Sequence, residues 1–183
     1  MSKKIIHTLL LCLLFATAAT AQKNQGVIKL NPIGFAFGIF DLGYEHKLSE
    51  RSSFEGSLSY ASRNLRLLDL KYNFFGVGAA YRYYLTKKDF PVGFYASPQA
   101  RFSSGSFINF GSPTEKFAAT TIGLVLGYQI VYFDVIALDI GIGPGYVISG
   151  LSPDAALLSP GIAPIFNFKV GYFIGSKNTG TKK

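Results

Sequence analysis

Between residues 40 and 60, apolar and polar side chains alternate with a period of two on either side of a short polar stretch at residues 49–52. Successive side chains of a β-strand point to opposite faces, so this pattern predicts two strands, each with one apolar face. A short polar connection is typical of a hairpin turn. The stretch therefore constrains the chain to antiparallel β-structure. The apolar faces would carry Phe40, Leu42, Tyr44, Leu48, Phe54, Leu58 and Tyr60.

The rest of the chain repeats this unit, and we predict an all-β, eight-stranded antiparallel up-and-down transmembrane β-barrel after a cleaved signal peptide. Strands of roughly 9–13 residues are long enough to cross a bilayer at a tilt, and alternate short and long connections are typical of membrane barrels. Pro32 cannot donate to a ladder, so it predicts a bulge or an edge in the first strand. The predicted strands are residues 26–37, 40–48, 53–60, 75–85, 94–102, 118–130, 136–146 and 162–173. The predicted turns are residues 49–52, 86–92 and 131–133, and the predicted loops are residues 62–71, 103–116 and 149–160.

The first residues predict export from the cell. A positive segment and an apolar run precede residues 19–21, which fit the small-residue cleavage rule, so Gln22 would begin the mature protein. The only cysteine of the chain, Cys12, lies before that point, so no disulfide is expected in the mature protein. The predicted division is a signal peptide at residues 1–21, the barrel at 22–175 and a polar basic tail at 176–183.

Alternation alone does not say whether the apolar faces meet a core or lipid, because a soluble lipocalin-like barrel has the same period with the opposite orientation. Two features favour lipid. The polar faces are mostly small residues, which suit the narrow interior of an eight-stranded barrel, and aromatic residues cluster at the strand ends of the apolar faces, as in interfacial girdles. The predicted girdle is Tyr60, Phe75, Tyr83, Phe94, Phe102, Tyr128, Tyr146 and Tyr172.

Most charged residues of the predicted strands fall on the face that would line the lumen. Ions inside a narrow barrel must pair, because an unpaired ion costs several kcal/mol of desolvation. We therefore predict a structural salt-bridge network that fills the lumen, with a gated or leaky conduit as the alternative. The predicted members are Asp41, Glu45, Lys47, Glu55, Arg82, Arg101, Asp139 and Lys169, and Lys29 is expected to join them.

Catalysis and metal binding have little support in the sequence. After the signal segment the one histidine is His46, beside a predicted short turn, and we interpret it as an interfacial side chain rather than a catalytic base. With no second histidine and no cysteine in the mature chain, we predict no metal site and no cofactor.

Five short motifs resemble those of small outer-membrane barrels: Lys29-Leu30-Asn31-Pro32, Leu42-Gly43-Tyr44-Glu45, Tyr81-Arg82-Tyr83-Tyr84, Gly93-Phe94-Tyr95 and Gly171-Tyr172-Phe173. The chain resembles OmpA- and OmpX-like eight-stranded barrels and, more closely, an uncharacterised family of such barrels from Bacteroidota-type Gram-negative bacteria. Its last strand is similar to the assembly signal of these barrels, although the chain continues to Lys183. The resemblance implies the barrel fold and an outer-membrane location, without a particular activity.

The expected function is therefore that of a non-enzymatic outer-membrane protein with a structural or surface-interaction role through its extracellular loops. The alternatives are a lipid-A-modifying enzyme and a minor small-solute pore. The expected partners are outer-membrane lipid, lipopolysaccharide and the barrel-assembly machinery. Basic residues are scattered, so no nucleic-acid partner is expected, and we expect a monomer.

Overall fold

Eight antiparallel strands close into a barrel in which each strand pairs with its neighbours in the chain and the last pairs with the first. The computed structural model describes residues 25–65, 70–86, 90–109, 115–149 and 160–175. The predicted all-β, eight-stranded, up-and-down barrel is confirmed. The strands are β1 (Gly26–Leu30), β2 (Ile39–Lys47), β3 (Ser52–Leu65), β4 (Leu70–Tyr84), β5 (Gly93–Asn109), β6 (Glu115–Tyr132), β7 (Ile136–Ser149) and β8 (Gly161–Ile174).

The barrel has two different ends, which we name by their connections. At the turn end, residues 48–51, 85–92 and 133–135 join consecutive strands, and both termini of the barrel lie there. At the loop end, helix α1 (Pro32–Ala36) joins β1 to β2. The other three loop-end connections include residues 66–69, 110–114 and 150–159, which lie outside the described residues. The predicted signal peptide (1–21) and tail (176–183) also lie outside them and stay predictions.

The outward face of the barrel is apolar and the lumen is polar. Outward-facing Phe166, Leu126 and Phe94 are 57–68% exposed, whereas Glu45 and Asp139 in the lumen are fully buried. A barrel folded in water would bury its apolar face, because burial of apolar surface is the main driving force of folding. The observed inside-out arrangement is that of a transmembrane barrel. Among the described residues, no helix is long and apolar enough to span a membrane.

Two of the predicted loops are wrong because the strands beside them are longer than the sequence pattern indicates. Residues assigned to the 62–71 loop extend β3 to Leu65 and begin β4 at Leu70, and residues assigned to the 103–116 loop extend β5 to Asn109 and begin β6 at Glu115. The 103–116 segment is rich in Ser and Gly, and the 62–71 segment carries several charged residues and an Asn, all of which are less common in strands than β-branched and aromatic residues. The register between β4 and β5 nevertheless runs on to the pair Leu70 and Asn109, so the continuing ladder overrides local propensity.

The predicted first strand, residues 26–37, is wrong beyond Leu30, where β1 ends and α1 soon follows. Asn31 caps this helix, because its side-chain oxygen accepts a hydrogen bond from the Gly34 N–H at 2.9 Å. Pro32 occupies the first turn, where its fixed φ suits a helix and its missing N–H costs nothing. Asn31 and Pro32 therefore form a helix start rather than a bulge within a strand.

We expect Asn31→Ala to lower the free energy of unfolding by about 1 kcal/mol, because the Gly34 N–H loses its acceptor. The measurement is a urea titration of the refolded barrel in detergent. Asn31→Asp keeps an acceptor at the same place and serves as the matched control. Equal losses in the two variants would contradict the capping role.

Two outward-facing prolines interrupt the ladder at the middle of the wall. The pairing of β4 with β5 skips Tyr81 and Arg82, which lie opposite Pro98 and Ser97, and resumes in the same register. The pairing of β6 with β7 skips two residue pairs in the same way at Pro144. A proline has no N–H to donate, so each one removes a rung without shifting the strand.

Gly143, beside Pro144, lies where two backbones approach closely. A β-carbon there would collide with the Leu124 backbone, so we expect Gly143→Ala to lower the free energy of unfolding by about 1–3 kcal/mol, the usual range for overpacking. Gly56→Ala is the control, since no described atom lies within 4 Å of the added carbon. The same titration measures both, and a loss at Gly56 as large as that at Gly143 would count against steric crowding as the cause.

Candidate functional site

A network of buried ion pairs fills the middle of the lumen. The Lys29 ammonium lies 2.5 Å from Glu45 Oε2, 2.8 Å from Asp139 Oδ2 and 3.3 Å from Glu55 Oε2. The Arg82 guanidinium lies 2.6 Å from both Glu55 Oε2 and Asp139 Oδ2. All five side chains are at most 3% exposed. Two cations thus bridge three carboxylates, and Lys169, 2.5 Å from Glu55 Oε1, supplies the third positive charge.

Uncharged side chains complete the network. Gln129 accepts hydrogen bonds from Lys29 at 2.6 Å and from Arg82 at 2.9 Å, and it donates to Glu45 at 3.1 Å. The Tyr84 hydroxyl donates to Glu45 at 2.7 Å, and the Tyr95 hydroxyl donates to Asp139 at 2.6 Å. Buried ions need such additional hydrogen bonds, because ion pairing alone seldom offsets desolvation.

Every strand of the barrel contributes a side chain to this network. Each one alternates onto the lumen face of its own strand, and the closed sheet brings the eight positions to one level. The network therefore ties together strands that are far apart in the sheet. The contributing residues, from β1 to β8, are Lys29, Glu45, Glu55, Arg82, Tyr95, Gln129, Asp139 and Lys169.

An apolar cluster closes the lumen at the turn end. Phe90, from the connection between β4 and β5, is 1% exposed. Its ring lies 5.9 Å from that of Tyr84 and 6.5 Å from that of Phe173, measured between centroids. The Lys47 ammonium lies 5.9 Å from the centre of the Phe90 ring. The turn between two strands thus folds a ring back into the barrel mouth.

Toward the loop end the lumen opens into a small polar cavity. Gln99, Arg101, Asn167 and Lys169 are among its lining residues. Arg101 is paired with Asp41 at 2.9 Å, and Asn167 donates to Gln99 at 3.3 Å. The Arg101 side chain is 41% exposed, whereas Arg82 below it is 1% exposed. Among the described residues, the lumen is therefore closed at the network and open toward the loop end above it.

The structure gathers most of the predicted lumen charges, with two departures. Glu45, Glu55, Arg82, Asp139 and Lys169 join the central network together with Lys29. Asp41 and Arg101 form a separate pair nearer the loop end. Lys47 is not part of the network and instead donates to Gln25 at 2.9 Å, because its strand ends at the turn-end mouth.

Gln129, Tyr84 and Tyr95 are members of the network that were not predicted from the sequence. Their position on the polar face of their strands was a signal that could have found them, since a polar group facing a closed lumen needs a partner. Phe90 carried no such signal, because it lies in a turn and its inward direction depends on the tertiary structure.

The predicted girdle residues all lie on the outward face. Phe94 and Tyr128 are register partners near the turn end, with ring centroids 4.7 Å apart, and Tyr60 and Phe75 are register partners nearer the loop end. Their interfacial role stays a prediction. His46 lies near the turn end, where its ring stacks on that of Tyr44 with centroids 6.3 Å apart. Among the described residues, no group of His, Cys, Asp and Glu is arranged to hold a metal ion.

The fold and the lumen define a class of protein, the eight-stranded transmembrane β-barrel, here with an interior closed by paired charges. The chain belongs to the DUF3575 family of proteins of unknown function, whose family model matches residues 7–151. Among solved structures it is similar to Ail, the attachment invasion locus protein of Yersinia pestis, at 15% identity and a TM-score of 0.45. That similarity covers 82% of this chain and 95% of the Ail chain. A search of curated proteins gives no match.

Proposed function

We propose that the protein resides in an outer membrane and acts there without catalysis, as a structural or surface-interaction protein whose loop end faces the cell exterior. The girdle residues nearer the loop end form the loop-end girdle: Tyr60, Phe75, Phe102 and Tyr146. The observation that carries the proposal is that strands of the barrel extend beyond this girdle. Past Phe102, β5 continues to Asn109, paired on one side with β4 and on the other with β6. These paired ends of β4, β5 and β6, which we call the platform, would project beyond the bilayer. They offer partners a rigid surface, as loops held by a rigid scaffold do in other proteins.

The arrangement of side chains in the lumen supports a surface role over the two alternatives, a small-solute pore and a lipid-A-modifying enzyme. A pore needs a continuous water path, whereas the ion network and the Phe90 cluster fill the lower lumen with side chains at most 6% exposed. An enzyme acting on outer-leaflet lipid needs its base near the loop end, whereas His46 pairs with Gly26 and Phe54 near the turn end. The proposed activity therefore belongs to the outer surface.

The proposed partners are outer-membrane lipid and lipopolysaccharide. The apolar outward wall would contact acyl chains, and exposed Arg63, Lys71 and Lys116 lie beyond the loop-end girdle, where anionic headgroups would be found. Near a charged surface each basic residue adds about 1 kcal/mol of attraction. Assembly by the barrel-assembly machinery and a monomeric state complete the proposal.

Single-cysteine labelling tests location and orientation together, because Cys12 is the chain's only cysteine and is expected to leave with the signal peptide. We expect the mature protein, beginning at Gln22, in the outer-membrane fraction with heat-modifiable mobility. Lys116→Cys, at the loop end, should react with a membrane-impermeant maleimide on intact cells. Glu50→Cys, exposed in a turn-end connection, should react only after permeabilisation.

Two results would overturn the proposal. Recovery of the protein in the soluble periplasmic fraction would exclude the membrane location. Labelling of Glu50→Cys rather than Lys116→Cys on intact cells would show that the turn end, and not the loop end, faces the cell exterior.

A further inference from the structure

The apolar outward face of the barrel is taller on one side than on the other. On β7 every outward-facing position from Ile136 to Ile148 is apolar or aromatic, and the same holds on β8 from Ile162 to Ile174. On β5 the corresponding run extends only from Phe94 to Phe102, and the exposed Ser104 follows it toward the loop end. We call the outward surface of β7 and β8 the long face.

The difference in height follows from strand geometry. A strand rises about 3.3 Å per residue, and the strands of a membrane barrel tilt by about 40°. The runs on β7 and β8 therefore span roughly 30 Å along the barrel axis, whereas the run on β5 spans roughly 20 Å. The apolar band of outer-membrane barrels is about 25 Å tall, so the long face extends past such a band and the β5 face lies within it.

The two sides of the barrel differ clearly at the loop end. On β3, β4 and β5, exposed polar residues lie directly beyond the girdle, at Ser62, Asn73 and Ser104. On the long face, Ile148 lies beyond the girdle residue Tyr146 and is 54% exposed. Helix α1, which contacts β8, and its C-cap add further apolar surface at this end. The side chains concerned are Ile33, Phe35 and Phe37, which are 52–69% exposed.

The extra apolar surface lies at both ends of the long face, so a tilt of the barrel cannot bury it. At the turn end, Ile174 lies beyond the girdle residue Tyr172, and Val135 in the adjoining connection is also exposed. A tilt would bring one end of the face into the bilayer and move the other end out of it. The other response to an apolar surface that exceeds the bilayer is a local thickening of the bilayer.

We propose that the long face binds lipids with long acyl chains, so that the bilayer beside β7 and β8 is thicker than the bilayer beside β5. The inference rests on the lipid contact proposed above and specifies which lipid each side of the barrel binds. The long face is continuous with the rest of the lipid-facing wall and carries no charged outward residue, so it accepts hydrocarbon along its whole height. The cost of mismatch grows with each Å, so lipids that match the face are enriched beside it.

Fluorescence quenching tests the two sides separately, because the chain contains no tryptophan. Phe166→Trp places a reporter on the long face, and Val77→Trp places one on β4, half-way around the barrel from β8. The vesicles combine brominated dioleoylphosphatidylcholine with unbrominated phosphatidylcholine, either the shorter dimyristoleoyl or the longer dierucoyl form. Quenching against mole fraction gives the affinity for the unbrominated lipid relative to the brominated one. We expect the relative affinity for the dierucoyl lipid to be several-fold higher at Phe166→Trp than at Val77→Trp, and the order to reverse for the dimyristoleoyl lipid.

Shortening the long face provides the matched change. Ile162→Ser with Ile174→Ser limits the apolar run of β8 to the span from Pro164 to Tyr172, as long as the run on β5. This double variant should lower the preference for the dierucoyl lipid at Phe166→Trp and leave Val77→Trp unchanged. Ile136→Ser with Ile148→Ser shortens the run on β7 in the same way and is the variant to use if the first does not fold, as judged by heat-modifiable mobility.

The same chain-length preference at both reporters would overturn the inference, and so would a preference at Phe166→Trp that survives the shortening. Quenching at Val77→Trp but at no chain length at Phe166→Trp would mean that a protein, such as a second copy of this chain, covers the long face instead of lipid. Absence of quenching at both reporters would overturn the proposed lipid contact as well. The failure of the further inference and the failure of the proposal on which it rests are therefore distinguishable.

Discussion

Arg82→Ala is expected to lower the free energy of unfolding by about 3–5 kcal/mol, the usual cost of removing one partner from a buried ion pair. The change leaves Glu55 and Asp139 without the guanidinium that lies 2.6 Å from each. Lys29 and Lys169 remain, so three buried carboxylates would face two ammonium groups. The lumen offers little water to compensate, because the network side chains are almost completely buried. The guanidinium also stacks 4.4 Å from the centre of the Tyr95 ring, and that contact is lost as well.

Urea titration in detergent or lipid measures this loss, with two comparisons. Arg63→Ala removes an exposed arginine from β3 and should cost well under about 1 kcal/mol. The double variant Arg82→Met with Asp139→Leu removes both charges of one pair, so it should cost less than the sum of its single variants, since neither charge is left unpaired. Small and equal effects at Arg82 and Arg63 would mean that water fills the lumen.

The face of each strand that lines the lumen could be predicted from the sequence. The position of each side chain along the barrel axis could not. Period-two alternation placed Glu45, Glu55 and Asp139 on the lumen face without any knowledge of the register. Which of them meet depends on the stagger between strands, which no local pattern contains. Thus Asp41 and Glu45, four residues apart on the same face of β2, belong to separate ion pairs.

The errors fall where the tertiary structure overrides local preference. The segments after Ala61 and Phe102 read as loops from composition, yet each is paired residue by residue with its neighbours, which satisfies its backbone groups. At Pro32 a predicted strand is instead a helix. The apolar pattern continues past this position, but Pro32 cannot donate to a ladder, and Asn31 caps a helix there. The early end of β1, at Leu30, follows from those two residues.

Phe90→Ala is expected to lower the free energy of unfolding by about 3–5 kcal/mol, the range for truncating a buried phenylalanine. The ring is 1% exposed and packs edge-on against Tyr84. Its removal leaves a cavity between Tyr84 and Phe173 at the turn-end mouth. Phe133→Ala is the control, because that ring is 91% exposed in a turn-end connection and should contribute less than about 0.5 kcal/mol.

Conductance measurements on Phe90→Ala distinguish the two groups of side chains that close the lumen, the ion network and the aromatic cluster around Phe90. Purified wild-type protein in planar bilayers should show little or no steady conductance, because the ion network spans the lumen above the Phe90 ring. Phe90→Ala should conduct no more than wild type, since it opens only the mouth below the network, despite its large loss of stability. A stable, ion-selective conductance in wild type would mean a hydrated interior and a pore. Conductance appearing only in Phe90→Ala would mean that the aromatic cluster, rather than the paired charges, is what closes the barrel.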